Sequence, residues 1–270
     1  YIVENGESFY LHAGESVPIE NYEVPRVRHN YKETSDDKAD WDRLMNAIAE
    51  GISSDEMTKV VSSREVEFTS ETPYNVASIL ANLVDNNPNC FIFGYEKDGR
   101  TFVGASPEIL VRHRGSEILS YALAGTAPKD GPNGWTKEQL LTNTKNIVEH
   151  NIVRDRIVKT MKQITPDVTV GETGIMELSH LYHLRTIITA KDSTKSLVEW
   201  AKLLHPTPAL GGEPRDKALA LLQEYESHER GMYAAPFGFM KDMGDGIVVV
   251  AIRSALIMDN VLYAYAGCGV

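Results

Sequence analysis

CFIFGYEKDGRTFVGASPEILVRHRGSEILSYAL, residues 90–123, holds two β-hairpins back to back. Cys90 to Tyr95 and Arg100 to Ala105 are rich in aromatic and β-branched residues. They flank Asp98-Gly99, a dipeptide suited to positive φ at both central positions of a tight turn. Ile109 to His113 and Glu117 to Leu123 repeat the device around Gly115. Strands joined this closely run antiparallel, because a parallel pair needs a long crossover between them.

The rest of the chain extends that pattern. Tyr1 to Gly14 reads as a hairpin turning at Asn5-Gly6, and Glu15 to Asp40 as a polar, proline-containing connection. Residues 1–40 are thus expected to be the remnant of an N-terminal part, and 41–270 the main domain. Trp41, Leu44 and Ile48, with Met45 beside them, recur at the spacing of an amphipathic helix that Gly51 ends. Lys59 to Phe68 alternates as a strand, and Pro73 to Val84 reads as a helix with proline in its first turn. Lys137 to Ile164 reads as one long helix, Val168 to Val170 as a short strand, and Thr194 to Leu204 and Arg215 to Tyr225 as helices. The last part reads as three strands, Ala235 to Met240, Gly246 to Met258 and Val261 to Gly267, turning at Asp245-Gly246 and Asp259-Asn260. No element is assigned between residues 171 and 193. Hairpins outnumber strand–helix–strand units, so the expected class is α+β, with mainly antiparallel sheets and helices packed outside.

With 42% apolar residues the chain can bury a substantial core. A net charge of −11 argues against a nucleic-acid or anionic-membrane partner, either of which needs a basic face. No apolar run reaches the ~18 residues of a membrane span. Cys90 and Cys268 lack metal-ligand spacing and read as reduced, buried thiols of a cytoplasmic protein. The chain begins at Tyr1 without methionine and stops at Val270 in mid-strand by pattern, as expected of a portion of a longer polypeptide.

Six short motifs carry the chemistry: Lys59-Val60-Val61-Ser62-Ser63-Arg64, Gly104-Ala105-Ser106-Pro107-Glu108, Leu123-Ala124-Gly125-Thr126, His205-Pro206-Thr207-Pro208-Ala209-Leu210-Gly211-Gly212, Ile252-Arg253-Ser254 and Tyr265-Ala266-Gly267-Cys268-Gly269. Taken alone, each has an ordinary reading. Lys59 would be a snorkelling strand end, Glu108 a turn carboxylate beside proline, and Glu149 a helix-surface partner of Lys145 four residues earlier. Arg253 would be a salt-bridged arginine in an apolar run. Together, and in this order from about Trp41 to the last residue, they resemble the chorismate-utilising enzymes, most closely isochorismate synthases of menaquinone and siderophore pathways.

The resemblance implies two large antiparallel sheets, stacked, with helices around them. It implies chorismate as substrate and isochorismate as product, with water added at C2 as the C4 hydroxyl leaves. Lys59 would activate the water, at a position where ammonia-using relatives carry glutamine, and Glu108 would protonate the leaving hydroxyl. Glu149 would be one of two carboxylates holding Mg²⁺, the second lying beyond this chain's last residue. Ala124, Gly125, Thr126, His183, Thr207, Arg253, Tyr265, Gly267 and Gly269 would contact the substrate, and Arg253 suits a carboxylate through its planar guanidinium. Ala124 stands where aminodeoxychorismate synthases use a nucleophilic lysine, so no covalent adduct is expected. His180 and His205 are assigned to packing or loop hydrogen bonds. No glutamine amidotransferase subunit is implied, and a monomer is expected. Two alternatives stay open: a salicylate synthase, whose relatives have Thr-Ala-Ser-Gly where this chain has Pro208-Ala209-Leu210-Gly211, and a truncated, non-catalytic chorismate-binding fragment. No zinc-spaced His/Cys cluster, phosphate-cradling glycine loop or nucleophile elbow is present in the sequence.

Overall fold

The structure, a computed structural model, describes residues 24–270 apart from 36, 242 and 243, together with the backbone of three short N-terminal strands. Those strands, β1 (Ile2–Glu4), β2 (Glu7–Leu11) and β3 (Ser16–Pro18), pair antiparallel in sequence order. The expected first hairpin is therefore present, while its turn at Asn5-Gly6 lies outside the described residues.

Next come β4 (Tyr31–Glu33), α1 (Lys38–Ser53), β5 (Lys59–Ser70) and α2 (Val76–Asn86), then β6 (Phe91–Lys97), β7 (Arg100–Ser106), β8 (Ile109–Arg114) and β9 (Glu117–Pro128). The chain continues with α3 (Lys137–Thr142), α4 (Thr144–Lys162), β10 (Val168–Val170), β11 (Gly174–Glu177), β12 (Leu181–Lys191) and α5 (Leu197–Leu204). It ends with β13 (Gly212–Glu213), α6 (Arg215–Tyr225), β14 (Pro236–Met240), β15 (Gly246–Val250), β16 (Ser254–Met258) and β17 (Val261–Gly269). Two seven-stranded antiparallel sheets result. One has the order β10-β12-β9-β8-β15-β14 with β11 on β12, the other β13-β5-β17-β16-β7-β6 with β4 on β5.

Both hairpins of residues 90–123 form. Asp98 and Gly99 take φ of +53° and +72°, as a tight turn between right-twisted strands demands. The two hairpins belong to different sheets, so the Pro107-Glu108 link carries the chain across. A second crossing corrects the expectation of one strand over Gly246 to Met258. Arg253 takes φ +53°, costly for a residue with a Cβ, and Ala251 to Arg253 lead from β15 in one sheet to β16 in the other. The crossings are bonded together: Ala105 N donates to Arg253 O (3.1 Å) and Val250 N to Glu108 O (3.0 Å).

Several other expectations change, the first being that α1 runs through Gly51 to Ser53 instead of ending at the glycine. The long helix divides at Asn143, whose extended ψ of 115° stops α3 and whose side chain accepts from Asn146 N (3.0 Å) to cap α4. Asparagine favours that job over a helix interior. Proline 73 precedes α2 rather than entering it, because Asn75 is the cap and accepts from Ser78 N. Residues 174–191 form β11 and β12, and β12 is an interior strand whose Tyr182, Leu184, Thr186, Ile188 and Ala190 are all buried. That period of two is the mark of a strand. The cysteines are both free thiols, but Cys90, just before β6, is only half-buried, and Cys268 is exposed because β17 is solvent-exposed over residues 266–268.

Helices cover the outer faces. Leu44 and Ile48 of α1 meet Ala218 and Leu222 of α6 over Val60 of β5. On the other sheet, Val153, Ile157 and Met161 of α4 join Leu197 and Trp200 of α5. Each fully buried side chain of this size contributes about 2–3 kcal/mol. Between the sheets Phe93 of β6 stacks on Phe237 of β14, centroids 4.6 Å apart. Because Val60 faces α1 and α6, its neighbour Lys59 faces the opposite way. Among the described residues no helix is long and apolar enough to cross a membrane.

Candidate active site

Lys59 opens β5 and is held there from both sides. Thr58 N donates to Glu213 O (2.8 Å), Val61 N to Gly211 O (2.9 Å), and Gly212 lies so close that a Cβ on it would fall 2.2 Å from Lys59 O. The lysine is 2% exposed, and its Nζ lies 2.9 Å from Glu149 Oε1. Burial holds the ammonium's pKa below the usual lysine value, outweighing the attraction of Glu149. Glu149 balances the other way: burial would raise its pKa, but Lys59 and Lys145 together hold it low. Lys145 Nζ stands 2.8 Å from Glu149 Oε2, so the helix-surface ion pair exists alongside the buried one. Gly269, paired beside β5, leaves room for both: a Cβ there would come within 2.7 Å of Glu149 Oε1 and 3.6 Å of Lys59 Cε.

Glu108 sits in the first crossing between sheets, 3% exposed. Its Oε1 has no hydrogen-bond partner among the described residues. Burial pushes its pKa up to about 8, against the pull of Lys59. The site therefore holds a carboxylic acid that keeps its proton near neutrality, close to an amine that gives its proton up more readily than usual.

The segment Ala124-Gly125-Thr126 runs along the first turn of α4. Gly125 takes φ +80°, and a Cβ there would lie 2.8 Å from Asn146 O. Thr126 N donates to Asn146 Oδ1 (3.2 Å), and Ala124 O accepts from His150 Nδ1 (3.1 Å). The other nitrogen of His150 accepts from Thr186 Oγ1 (2.7 Å), tying α4 to β12 beneath Glu149. Thr126 lies opposite His183 in the β9–β12 ladder, next to a register shift between His183 and Arg185. Arg253 Nη2 donates to His183 Nε2 (2.5 Å), which leaves Nδ1 to donate to Thr126 Oγ1 (2.8 Å). Burial first, and Arg253 second, depress the pKa of His183 to about 3, so the imidazole is neutral.

On the facing side, Tyr265 stacks on Tyr233, centroids 5.2 Å apart at 16°. The Tyr233 hydroxyl fills the space over Gly267, 2.5 Å from where a Cβ would be. Tyr233 is 7% exposed, burial pushes its phenol up to about 12, and Glu108 is among the charges it senses. Sequence reasoning missed Tyr233, as it missed Asn146 and His150. A lone tyrosine after Arg230-Gly231-Met232 gives no periodic signal, whereas Asn146 and His150 could have been found by asking which face of α4 carries Glu149. Thr207 is buried but organises its own loop: its hydroxyl accepts from Ala209 N (3.3 Å) and its carbonyl from Leu210 N (3.0 Å). His205 Nε2 donates to Ala234 O (2.9 Å) and His180 pairs with Asp130 at the surface, as expected of structural histidines.

A magnesium site is not complete in these residues. Mg²⁺ wants near-octahedral oxygen ligation, and among the described residues no three His, Cys, Asp or Glu side chains converge to hold a metal. Glu149 is a single carboxylate with both oxygens on lysines.

The chain matches a family model described as chorismate binding enzyme over residues 12–270, and it belongs to that family. It is 35% identical over 240 residues to an isochorismate synthase MenF of Bacillus subtilis, covering 87% of this chain and 51% of that protein. It superposes with a TM-score of 0.84 and 27% identity on a putative 2,3-dihydroxybenzoate-specific isochorismate synthase from Bacillus anthracis, covering 95% of this chain and 72% of that one. With the menaquinone-specific isochorismate synthase of Escherichia coli the TM-score is 0.83 at 28% identity, over 93% of this chain and 60% of the other. The chain spans about half the length of the Bacillus subtilis relative.

Proposed function

We propose that this chain carries the isomerising site of an isochorismate synthase. The observation that carries the reading is the pair of Lys59 and Glu108, both buried and each within reach of the other's charge: an amine biased towards neutrality and a carboxyl biased towards protonation. Water addition with loss of hydroxide needs both states at once. Lys59 takes a proton from water as oxygen bonds to C2. The two ring double bonds shift, the C4–oxygen bond breaks, and Glu108 gives its proton to the departing hydroxyl. Arg253, aligned by neutral His183, would hold a substrate carboxylate, and Gly125, Thr126, Tyr265, Gly267 and Gly269 would shape the pocket. The isochorismate synthases among the relatives support the same reaction.

The proposal includes Mg²⁺, with Glu149 as the described residue that would ligate it. One carboxylate falls short of a magnesium site, and both proton transfers run through Lys59 and Glu108 alone. It also includes a cytoplasmic setting, a monomer, no amidotransferase subunit, and residues 41–270 as the chorismate-binding domain. The test is chromatographic product analysis after incubation with chorismate and Mg²⁺, coupled in parallel to lactate dehydrogenase. Isochorismate without pyruvate is the expected result. Pyruvate forming as fast as chorismate disappears would move the assignment to salicylate synthesis.

A further inference from the structure

A cavity of about 270 Å³ opens between the C-terminal half of α4, the end of α5 and the start of α6. Arg156, Lys159 and Arg215 line it from two helices, with Thr160 and Gln163 between them and the loop of residues 206–208 as the far wall. No aspartate or glutamate is among the lining residues. Within the described residues, neither Lys159 nor Arg215 forms an ion pair, and Arg156 reaches only Glu213, at a long 3.5 Å. Three under-neutralised cations around one concavity repel one another, an unusual arrangement in a chain of net charge −11. Arg156 lies seven residues beyond Glu149, about 10 Å along α4, so the cavity is set apart from the Lys59–Glu149 pair.

We propose that this cavity is a binding site for a small multivalent anion bearing carboxylate or phosphate groups. The two guanidiniums supply planar donors for such oxygens and the ammonium a point charge. The volume falls just below the usual range of ligand pockets, which favours a compact ion over an extended cofactor. The wall formed by residues 206–208 continues into Gly211 and Glu213, whose carbonyls accept from Val61 N and Thr58 N on either side of Lys59. An ion bridging Arg215, two residues after Glu213, to α4 stiffens the start of β5.

The test titrates the protein with inorganic phosphate and, separately, malonate, at constant ionic strength, reading thermal stability and amide hydrogen exchange. Phosphate also stabilises proteins non-specifically by exclusion from their surface, so saturation and dependence on the cavity are the criteria. Expected is a saturable rise in melting temperature for one or both ions, with protection concentrated in residues 156–163 and 203–216. Apparent affinity should fall at least tenfold in the double variant Lys159→Ala/Arg215→Ala, whose side chains hold no ion pair among the described residues, and should persist in Lys59→Gln. The phosphate and malonate arms separate the two ligand chemistries. A response that does not saturate, is equal in wild type and double variant, or disappears in Lys59→Gln overturns the assignment.

Discussion

Glu108 and Glu149 are the same side chain in opposite electrostatic states. Glu108 lies buried in a two-residue link between sheets, with one oxygen unpartnered and a pKa near 8. Glu149 lies on a helix with a lysine on each oxygen, and its pKa is lowered although burial alone would raise it. Burial by itself therefore does not decide protonation; a cation within hydrogen-bond reach does. Lys59 senses both carboxylates, but of the two it is hydrogen-bonded to Glu149 and not to Glu108. That asymmetry leaves one acid as a proton store and holds the other ionised to lower pH than an ordinary glutamate.

The largest effect should come from the base. Lys59→Gln, close in size and without a titratable amine, is expected to lower turnover of chorismate by about 10²–10⁴-fold. Near-wild-type turnover in a folded variant would end the assignment of Lys59 as base. Glu108→Gln should cost a similar or slightly smaller factor in turnover while raising stability at neutral and higher pH. The native carboxyl titrates near 8 against an ordinary value of 4.5, so the folded state binds the extra proton between those limits. Stability is then fully present below pH 4.5 and lost, at about 1.4 kcal/mol per pH unit at most, as pH rises towards 8. An amide mimics the protonated form. Melting curves should show Glu108→Gln more stable than wild type at pH 8, with the gap closing near pH 4.5; a gap of the opposite sign would break the comparison.

Glu149→Gln should behave in mirror image. Its lowered pKa contributes stability above the ordinary carboxyl value that is lost as pH falls through the native one. The variant leaves Lys59 buried without its anion, a loss on the order of 3 kcal/mol at neutral pH that shrinks in acid. Chemical denaturation at pH 7 and at pH 4 tests this. A Mg²⁺ titration of activity in the same variant shows whether Glu149 also serves the ion: the requirement should rise. The smallest effect concerns His183, whose pKa near 3 keeps it neutral. Its imidazole NMR shifts should stay flat from pH 5 to 8, and a titration in that range would remove the Arg253–His183–Thr126 relay.

The two hairpins of residues 90–123, the α6 boundary and the lysine at the head of β5 were all legible in the sequence, because turn chemistry and period-two alternation act over a few residues. The break at Asn143 and the strand over residues 181–191 carried local signals too, a capping residue and alternate buried positions, but a continuous helical pattern masked the first and mixed polarity the second. What no local pattern could supply is the pairing of distant residues. Lys59 and Glu149 are ninety positions apart, Arg253 and His183 seventy, and they meet because two crossings carry the chain between sheets. The sequence by itself determined the kinds of elements and which titratable side chains they carry. Only the tertiary structure decided their charge states, because a pKa depends on how far water is excluded and on which opposite charge lies within about 3 Å.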